Sequence, residues 1–295
     1  MSKYHNLQRI QQLDPQKDRC KICHLIAGYE FPWDVVRALE IALLRTFCVP
    51  SISQLLNKTG EFRLHTQKRY DDTALLVAEI IKWGYDSDRG SQAIQRMNQI
   101  HGRFPISNED FLYVLSTFIY EPIRWNQRFG WRLMCETEKQ ACYYFWQAIG
   151  ERMEIKNIPP NYTAFEQFNL EYERENFHYS ATNRQVGEAT IKMFLGWFPS
   201  WLSPVLRPGV YAMLDEKMLD AFGFPHPSPQ MRSLVENSLK LRGNLVRILP
   251  PRTQPEFFTD SQLRSYPQGY KLTDLGPKKM LDSLNQGQKL SDDNK

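Results

Sequence analysis

An all-α fold, one large helical domain followed by an irregular Pro-rich tail, is what the sequence predicts, and three observations predict it. Apolar residues recur at three- and four-residue spacing in segment after segment. Helix start and stop residues bracket those segments, and no alternating strand pattern of useful length occurs. The helical domain is expected over residues 1–249 and the tail over residues 250–295.

The elements follow in chain order. Residues 25–47, LIAGYEFPWDVVRALEIALLRTF, read as helix; within them 34–47 carries Val35, Leu39, Ala42, Leu43 and Thr46 on one face, with Pro32 before and Pro50 beyond. Residues 68–83 repeat the pattern through Thr73, Leu76, Val77, Ile80 and Ile81 and stop at Gly84. Asp86, Ser87 and Asp88 cap a third helix whose stripe is Ala93, Met97, Ile100 and His101, and Gly102 marks its end. Ser107 with Asp110 resembles a capping box for a helix that Pro122 is expected to kink or break. ETEKQACYYFWQAIGERM is the next helix, Thr163 with Glu166 forms a capping box before FEQFNLEYERENF, and NRQVGEATIKMFLGWF follows. The stretch PSWLSPVLRPGVYAML is rich in Pro and aromatic residues, and Ser228-Pro229 opens a final helix. Beyond Leu249 the Pro-rich chain is expected to wrap the surface in extended form, becoming polar and disordered from about Pro277.

At 295 residues the chain can bury a core without disulfide or metal staples. An aromatic fraction of 13% with seven Trp suggests a large apolar interior or a pocket. A net charge of +4, without clustered Lys and Arg, argues against nucleic acid as a partner. No window of about 18 apolar residues predicts a membrane-spanning helix. Five cysteines (Cys20, Cys23, Cys48, Cys135, Cys142) and a polar start without an apolar leader lead to the expectation of a cytoplasmic protein with free thiols.

Several constellations carry chemistry. CKICH at 20–24 is the spacing for covalent c-type haem. It is set aside because that attachment belongs to exported proteins and because the motif abuts a helix; a zinc site lacks a second ligand pair. A di-iron carboxylate site needs two Glu-x-x-His units, and Glu175 with His178 is one. No nucleophile elbow, dinucleotide fingerprint or phosphate loop occurs. His101 ends an apolar stripe and faces inward, either as a neutral core histidine bonded to a backbone carbonyl or as an axial ligand to haem iron. Arg69 and Thr73, in KRYDDT, share a helix face one turn apart, just before buried aliphatic positions. Arg69 there either pairs with Asp71 or Asp72 or finds an anion or a polarised oxygen. Residues 193–214 read either as packed core with loops or as a hydrophobic entrance in peripheral contact with a membrane.

KRYDDT, then AIQRMNQIHGRFPISNEDFLYVLSTFIYEPIRWNQRFGWRLMCETEKQACYYFWQAIGERMEI, then IPPNYTAFEQFNLEYERENF, resemble the MpaB / latex-clearing-protein oxygenases over roughly residues 30–225. The resemblance implies a globin-like helical core holding non-covalent haem b, whose iron uses dioxygen to cleave a carbon–carbon double bond of a hydrophobic, isoprenoid or lipid-like substrate. It implies His101 as the iron ligand and Arg69 and Thr73 as distal-pocket residues, with Arg69 also able to anchor a haem propionate. Latex-clearing proteins can place a Lys just before that Thr; here the position is Asp72, which counts against rubber cleavage and favours the MpaB-like branch. The alternative reading is a helical protein that binds haem or a hydrophobic ligand without turnover.

Overall fold

Helical periodicity becomes fourteen α-helices, and no strand, among the residues that the computed structural model describes, 2–278 and 280–281. The first are α1 (His5–Ile10) and α2 (Arg19–Leu25). The expected continuous helix over 25–47 is instead broken: a π-turn at Ile26–Glu30 follows α2, and α3 (Pro32–Thr46) restarts behind Phe31 with proline in its first turn. The break falls at Phe31, which Pro32 keeps out of helical backbone, and the tail packs against the turn before it. The Phe257 ring presses so closely on Gly28 that a Cβ there would lie 2.6 Å from it, and the Glu256 amide donates to the Gly28 carbonyl at 2.9 Å.

Two short helices, α4 (Pro50–Thr59) and α5 (Glu61–Leu64), meet at Gly60, whose φ of +73° is the left-handed conformation that closes a helix. Next come α6 (Thr66–Trp83) and α7 (Asp88–His101), in which the Ser87 hydroxyl accepts from the Gly90 amide at 3.0 Å. In α8 (Asn108–Phe129) the Ser107 hydroxyl accepts from the Asp110 amide at 3.0 Å, as the spacing predicts. Pro122 does not break α8. That helix lies along α3 and against α9 (Glu136–Arg152), and burial of Ile119, Tyr120 and Ile123 on both sides of the proline outweighs the missing amide.

The cap of α10 (Tyr162–Asn176) is Asn161 rather than Thr163: its side chain accepts from the Ala164 amide at 2.9 Å, and Thr163 is already inside the helix. Beyond α11 (Ala181–Leu195), the Pro-aromatic stretch is helical, a 3-10 turn leading into α12 (Ser203–Met213). It is followed by α13 (Glu216–Phe222) and α14 (Pro229–Ile248), capped by Ser228. All five cysteines are free.

The tail is irregular and runs largely over the surface, as expected, but it is also bolted into the body, with Phe257, Leu263, Leu272 and Leu275 buried in the main core. Arg96 on α7 donates to the carbonyls of Leu275 and Thr273 at 2.8 and 2.9 Å, and Tyr270 bonds Glu79 on α6. Pro277 and Met280 are buried, so disorder does not begin at 277; residues 282–295, to which that expectation also applied, lie outside the described residues.

Candidate active site

Helices α6 and α7 are joined by a short turn, so the chain reverses near Tyr85. Arg69 precedes Tyr85 by sixteen residues and His101 follows it by sixteen, so the start of α6 comes level with the end of α7. Side chains separated by 32 positions therefore open into one cavity of about 470 Å³, which Thr73 also lines. Its apolar wall draws on many elements, among them Leu43 of α3, Leu56 of α4, Val77 of α6, Met97 of α7, Phe111 of α8 and Met193 of α11. That volume lies within the range of about 300–1,000 Å³ usual for small-molecule and cofactor sites.

His101 is held neutral. Burial and then the nearby Arg69 charge push its pKa down to about 4 from an ordinary 6.5. The carboxyl end of a helix favours a protonated histidine by about 0.3–1 kcal/mol, so desolvation wins here. Nδ1 is buried and has no hydrogen-bond partner, and the ring meets Phe111 edge-on with centroids 5.5 Å apart. The backbone-bonded core histidine is therefore not what the structure contains.

Arg69 is similarly uncommitted. Among the described residues its guanidinium makes no hydrogen bond or ion pair, and it stands over the Phe62 ring at 5.9 Å. Burial lowers its pKa, opposed by the charges of Asp72 and Glu61. The pairing with Asp71 or Asp72 does not occur, because both acids turn to other partners. Asp72 accepts from Lys68 Nζ at 2.8 Å, from the Tyr266 hydroxyl and from the Gly276 amide at 3.0 Å; Asp71 accepts from Gln67 and from the Ser265 amide. Both acids thus anchor the tail, and Asp72 does not line the cavity. The Thr73 hydroxyl donates to the Arg69 carbonyl at 3.0 Å, which leaves only its lone pairs for a ligand.

One titratable group at the cavity escaped the sequence reading. Glu40 on α3 accepts from the Tyr70 hydroxyl at 2.5 Å and from Arg37 at 2.6 Å. Burial pushes its pKa up to about 7, against the opposing pull of Arg37 and Tyr70. No motif marks it; a Glu in the midst of an apolar helical run, RALEIALL, is the signal that was there to read.

The donor set fits an iron carried by a macrocycle better than a bare ion. Among the described residues no group of three or more His, Cys, Asp or Glu is arranged to hold a metal. One neutral, unpartnered imidazole in an apolar cavity is what a porphyrin iron requires of a protein, and a free guanidinium is available to an anionic substituent. The CKICH motif offers nothing comparable: Cys23 Sγ is buried against the Ala141 carbonyl, and His24 Nδ1 lies 2.8 Å from the Lys82 carbonyl with its ring packed on Phe257. His178 and Glu175 are not cavity residues.

A second polar centre, away from the cavity, is structural. Arg45 on α3 bonds Glu173 on α10 at 2.8 Å and Asp215 at 2.5 Å and lies 3.5 Å from Glu121 on α8. It ties four segments that the apolar pattern alone would leave free to slide.

Residues 35–247 match the family described as ER-bound oxygenase mpaB/B'/rubber oxygenase, catalytic domain. The chain is 29% identical over 246 residues to an ER-bound oxygenase mpaB' of Penicillium brevicompactum, covering 77% of this chain and 58% of that protein. It is 30% identical over 213 residues to an ER-bound oxygenase mpaB of Penicillium roqueforti, covering 66% of this chain and 72% of the relative. An ER-bound oxygenase mpaB of Penicillium brevicompactum is 34% identical over 148 residues, 48% of this chain and 38% of the relative. The matched region thus spans less than two thirds of two of these three proteins. Among the described residues no helix is long and apolar enough to cross a membrane.

Proposed function

This chain belongs to the family of ER-bound mpaB-type oxygenases and rubber oxygenases, and from that premise we propose that it is a haem b-dependent oxygenase that uses dioxygen to cleave a carbon–carbon double bond of a hydrophobic substrate, isoprenoid or lipid-like. The observation that carries the reading is His101: a neutral imidazole with no protein partner, at the wall of an apolar cavity that it shares with an unpaired arginine.

His101 would hold the iron, and Arg69 would meet either a propionate or an oxygen species in the cavity. Haem b, when bound, supplies the ferrous iron at which dioxygen is activated. The protein's own residues do the rest. The aliphatic and aromatic wall takes up the substrate and keeps water away, which strengthens whatever electrostatic contact Arg69 makes. In the second of its two roles Arg69 would set a preorganised positive charge against negative charge on oxygen. Glu40 provides a carboxyl at the wall whose Oε1 accepts from Tyr70 and Arg37, which leaves Oε2 to exchange a proton near neutral pH. Asp72 stands where a lysine would be needed for the latex-clearing arrangement and is consumed by the tail, which favours a small lipophilic substrate over a polymer.

The test is an absorption spectrum of the purified chain reconstituted with haem, oxidised and reduced, followed by oxygen uptake with unsaturated isoprenoids. A Soret band lost in His101→Ala, together with substrate-dependent oxygen uptake, is expected. Retention of full haem by His101→Ala removes the ligand assignment, and haem binding without oxygen uptake on any such substrate makes the protein a carrier instead.

A further inference from the structure

A stripe on α14 is left exposed among the described residues. Leu234, Leu241, Leu245 and Ile248 recur at intervals of seven, four and three, so they lie along one helix face, and that face points away from the body. Leu241 is 60% exposed and Ile248 80%, and Leu249 continues the line. Of the other exposed positions between them, Asn237, Ser238 and Asn244 are polar and uncharged, and Lys240 and Arg247 are cationic. Helix α12 packs alongside α14, and the segment leading into it exposes Phe198, Trp201 and Val205, with Trp201 75% accessible.

Cations outnumber acids around this face. On α14 the exposed charged side chains are Lys240 and Arg247, and the sole acid, Glu236, is half-buried, paired with Arg128 at 3.1 Å and 3.9 Å from Lys240. Residues 189–214 add Lys192 and Arg207, the latter paired with Glu188 at 2.8 Å. Leucine and isoleucine in a stripe, cations at its margins and a protruding tryptophan are the features of a helix that lies in a lipid headgroup layer.

We propose that the outer face of α14, with the Phe198–Val205 segment beside it, docks on the surface of an anionic lipid bilayer. A second copy of the chain is the poorer occupant, because a two-fold interface would bring Lys240 and Arg247 of both copies together with Glu236, already shared between Arg128 and Lys240, as the one acid each helix offers. Residues 282–295 are poorer still, since Leu284 and Leu290 are their only large apolar residues. Docking there has a consequence for supply. Met193 and Phe194, in the last turn of α11, line the cavity, and the chain reaches Phe198 four residues later, so the bilayer would lie beside the cavity wall and a lipophilic molecule could pass between them without crossing water. The docking itself does not depend on the cofactor.

Flotation of the full chain with phosphatidylcholine vesicles, with and without about 25% phosphatidylserine, tests it. The chain is expected to float with the anionic vesicles. Leu241→Glu/Leu245→Glu should weaken binding at least about tenfold, Lys240→Glu/Arg247→Glu should abolish the preference for anionic lipid, and Leu170→Glu, at an exposed leucine on α10, should change nothing. All these substitutions are at exposed positions, and an unchanged thermal unfolding midpoint shows that each variant folds. A chain that stays with the soluble fraction in both lipid mixtures overturns the proposal, as does equal loss in Leu170→Glu. A dimer that Leu241→Glu dissociates, without flotation, assigns the face to a second copy instead.

Discussion

Arg69 and His101 face one cavity from the near ends of adjacent antiparallel helices, and neither side chain makes a hydrogen bond or ion pair among the described residues. The guanidinium reinforces burial in keeping the imidazole neutral. Two desolvated, uncommitted polar groups side by side are destabilising in an empty protein, which ties the cavity to what it binds.

The neutrality of His101 gives a pH dependence with a definite sign. The folded-state pKa is about 4 and the ordinary value 6.5. Between them the unfolded chain takes up a proton that the folded chain refuses, so stability is fully present above pH 6.5 and falls as pH drops through the window. The loss is about 3 kcal/mol by pH 4. Urea unfolding of cofactor-free wild type and His101→Phe across this range should show the difference between them shifting against the wild type by that amount. A pH-independent difference would mean that His101 titrates normally in the fold.

Arg69→Met should leave the cofactor-free protein at least as stable as wild type, because it replaces a partly buried cation that has no ion-pair partner among the described residues with an apolar chain of similar length. The same change should raise the His101 pKa while leaving it below 6.5, since burial is the larger of the two causes. NMR titration of the His101 ring reads this directly. A pKa that does not move would separate the two groups electrically.

Asp72 should behave as a structural residue. It is buried and accepts from Lys68, Tyr266 and the Gly276 amide, so Asp72→Ala leaves donors on both α6 and the tail unsatisfied and should lower stability by about 2–4 kcal/mol. Haem affinity measured well below the unfolding temperature should stay within about twofold of wild type. A specific loss of haem or turnover with stability intact would move Asp72 into the site.

Arg45→Ala leaves buried Glu173 without a cation, with only the Tyr113 hydroxyl bonded to it, while Glu121 keeps Arg124, and should cost about 3–5 kcal/mol, whereas Leu234→Ala on the open face of α14 should cost less than about 0.5 kcal/mol. Thermal unfolding of the two variants decides whether the Arg45 cluster organises the helices. A change in the Arg45 variant no greater than in the Leu234 variant would show that it does not.

Much of the helical layout was legible because capping and periodicity are local. Ser87, Ser107 and Ser228 each cap the helix their position predicts, and the stripe Ala93–Met97–Ile100 turns inward as its spacing requires. Where local rules competed with packing they gave way. Pro122 sits inside an intact α8, Phe257 packs directly on Gly28 within the π-turn, and the Pro-rich tail, which composition marks as a surface wrap, also buries four large apolar side chains.

For the site, sequence alone could place His101 on an inward face and Arg69 and Thr73 on a shared one, and the order of its motif blocks was enough to suggest the family. It could not decide which inward residues meet a void and which meet a neighbour. That depended on the tail, whose Tyr266 and Gly276 draw Asp72 away and leave Arg69 without an acid, and on α3, which carries Glu40 to the cavity wall. The physical reason is range: helix formation is settled within a few residues of chain, whereas the protonation and pairing of a buried group are set by every segment that displaces water from it.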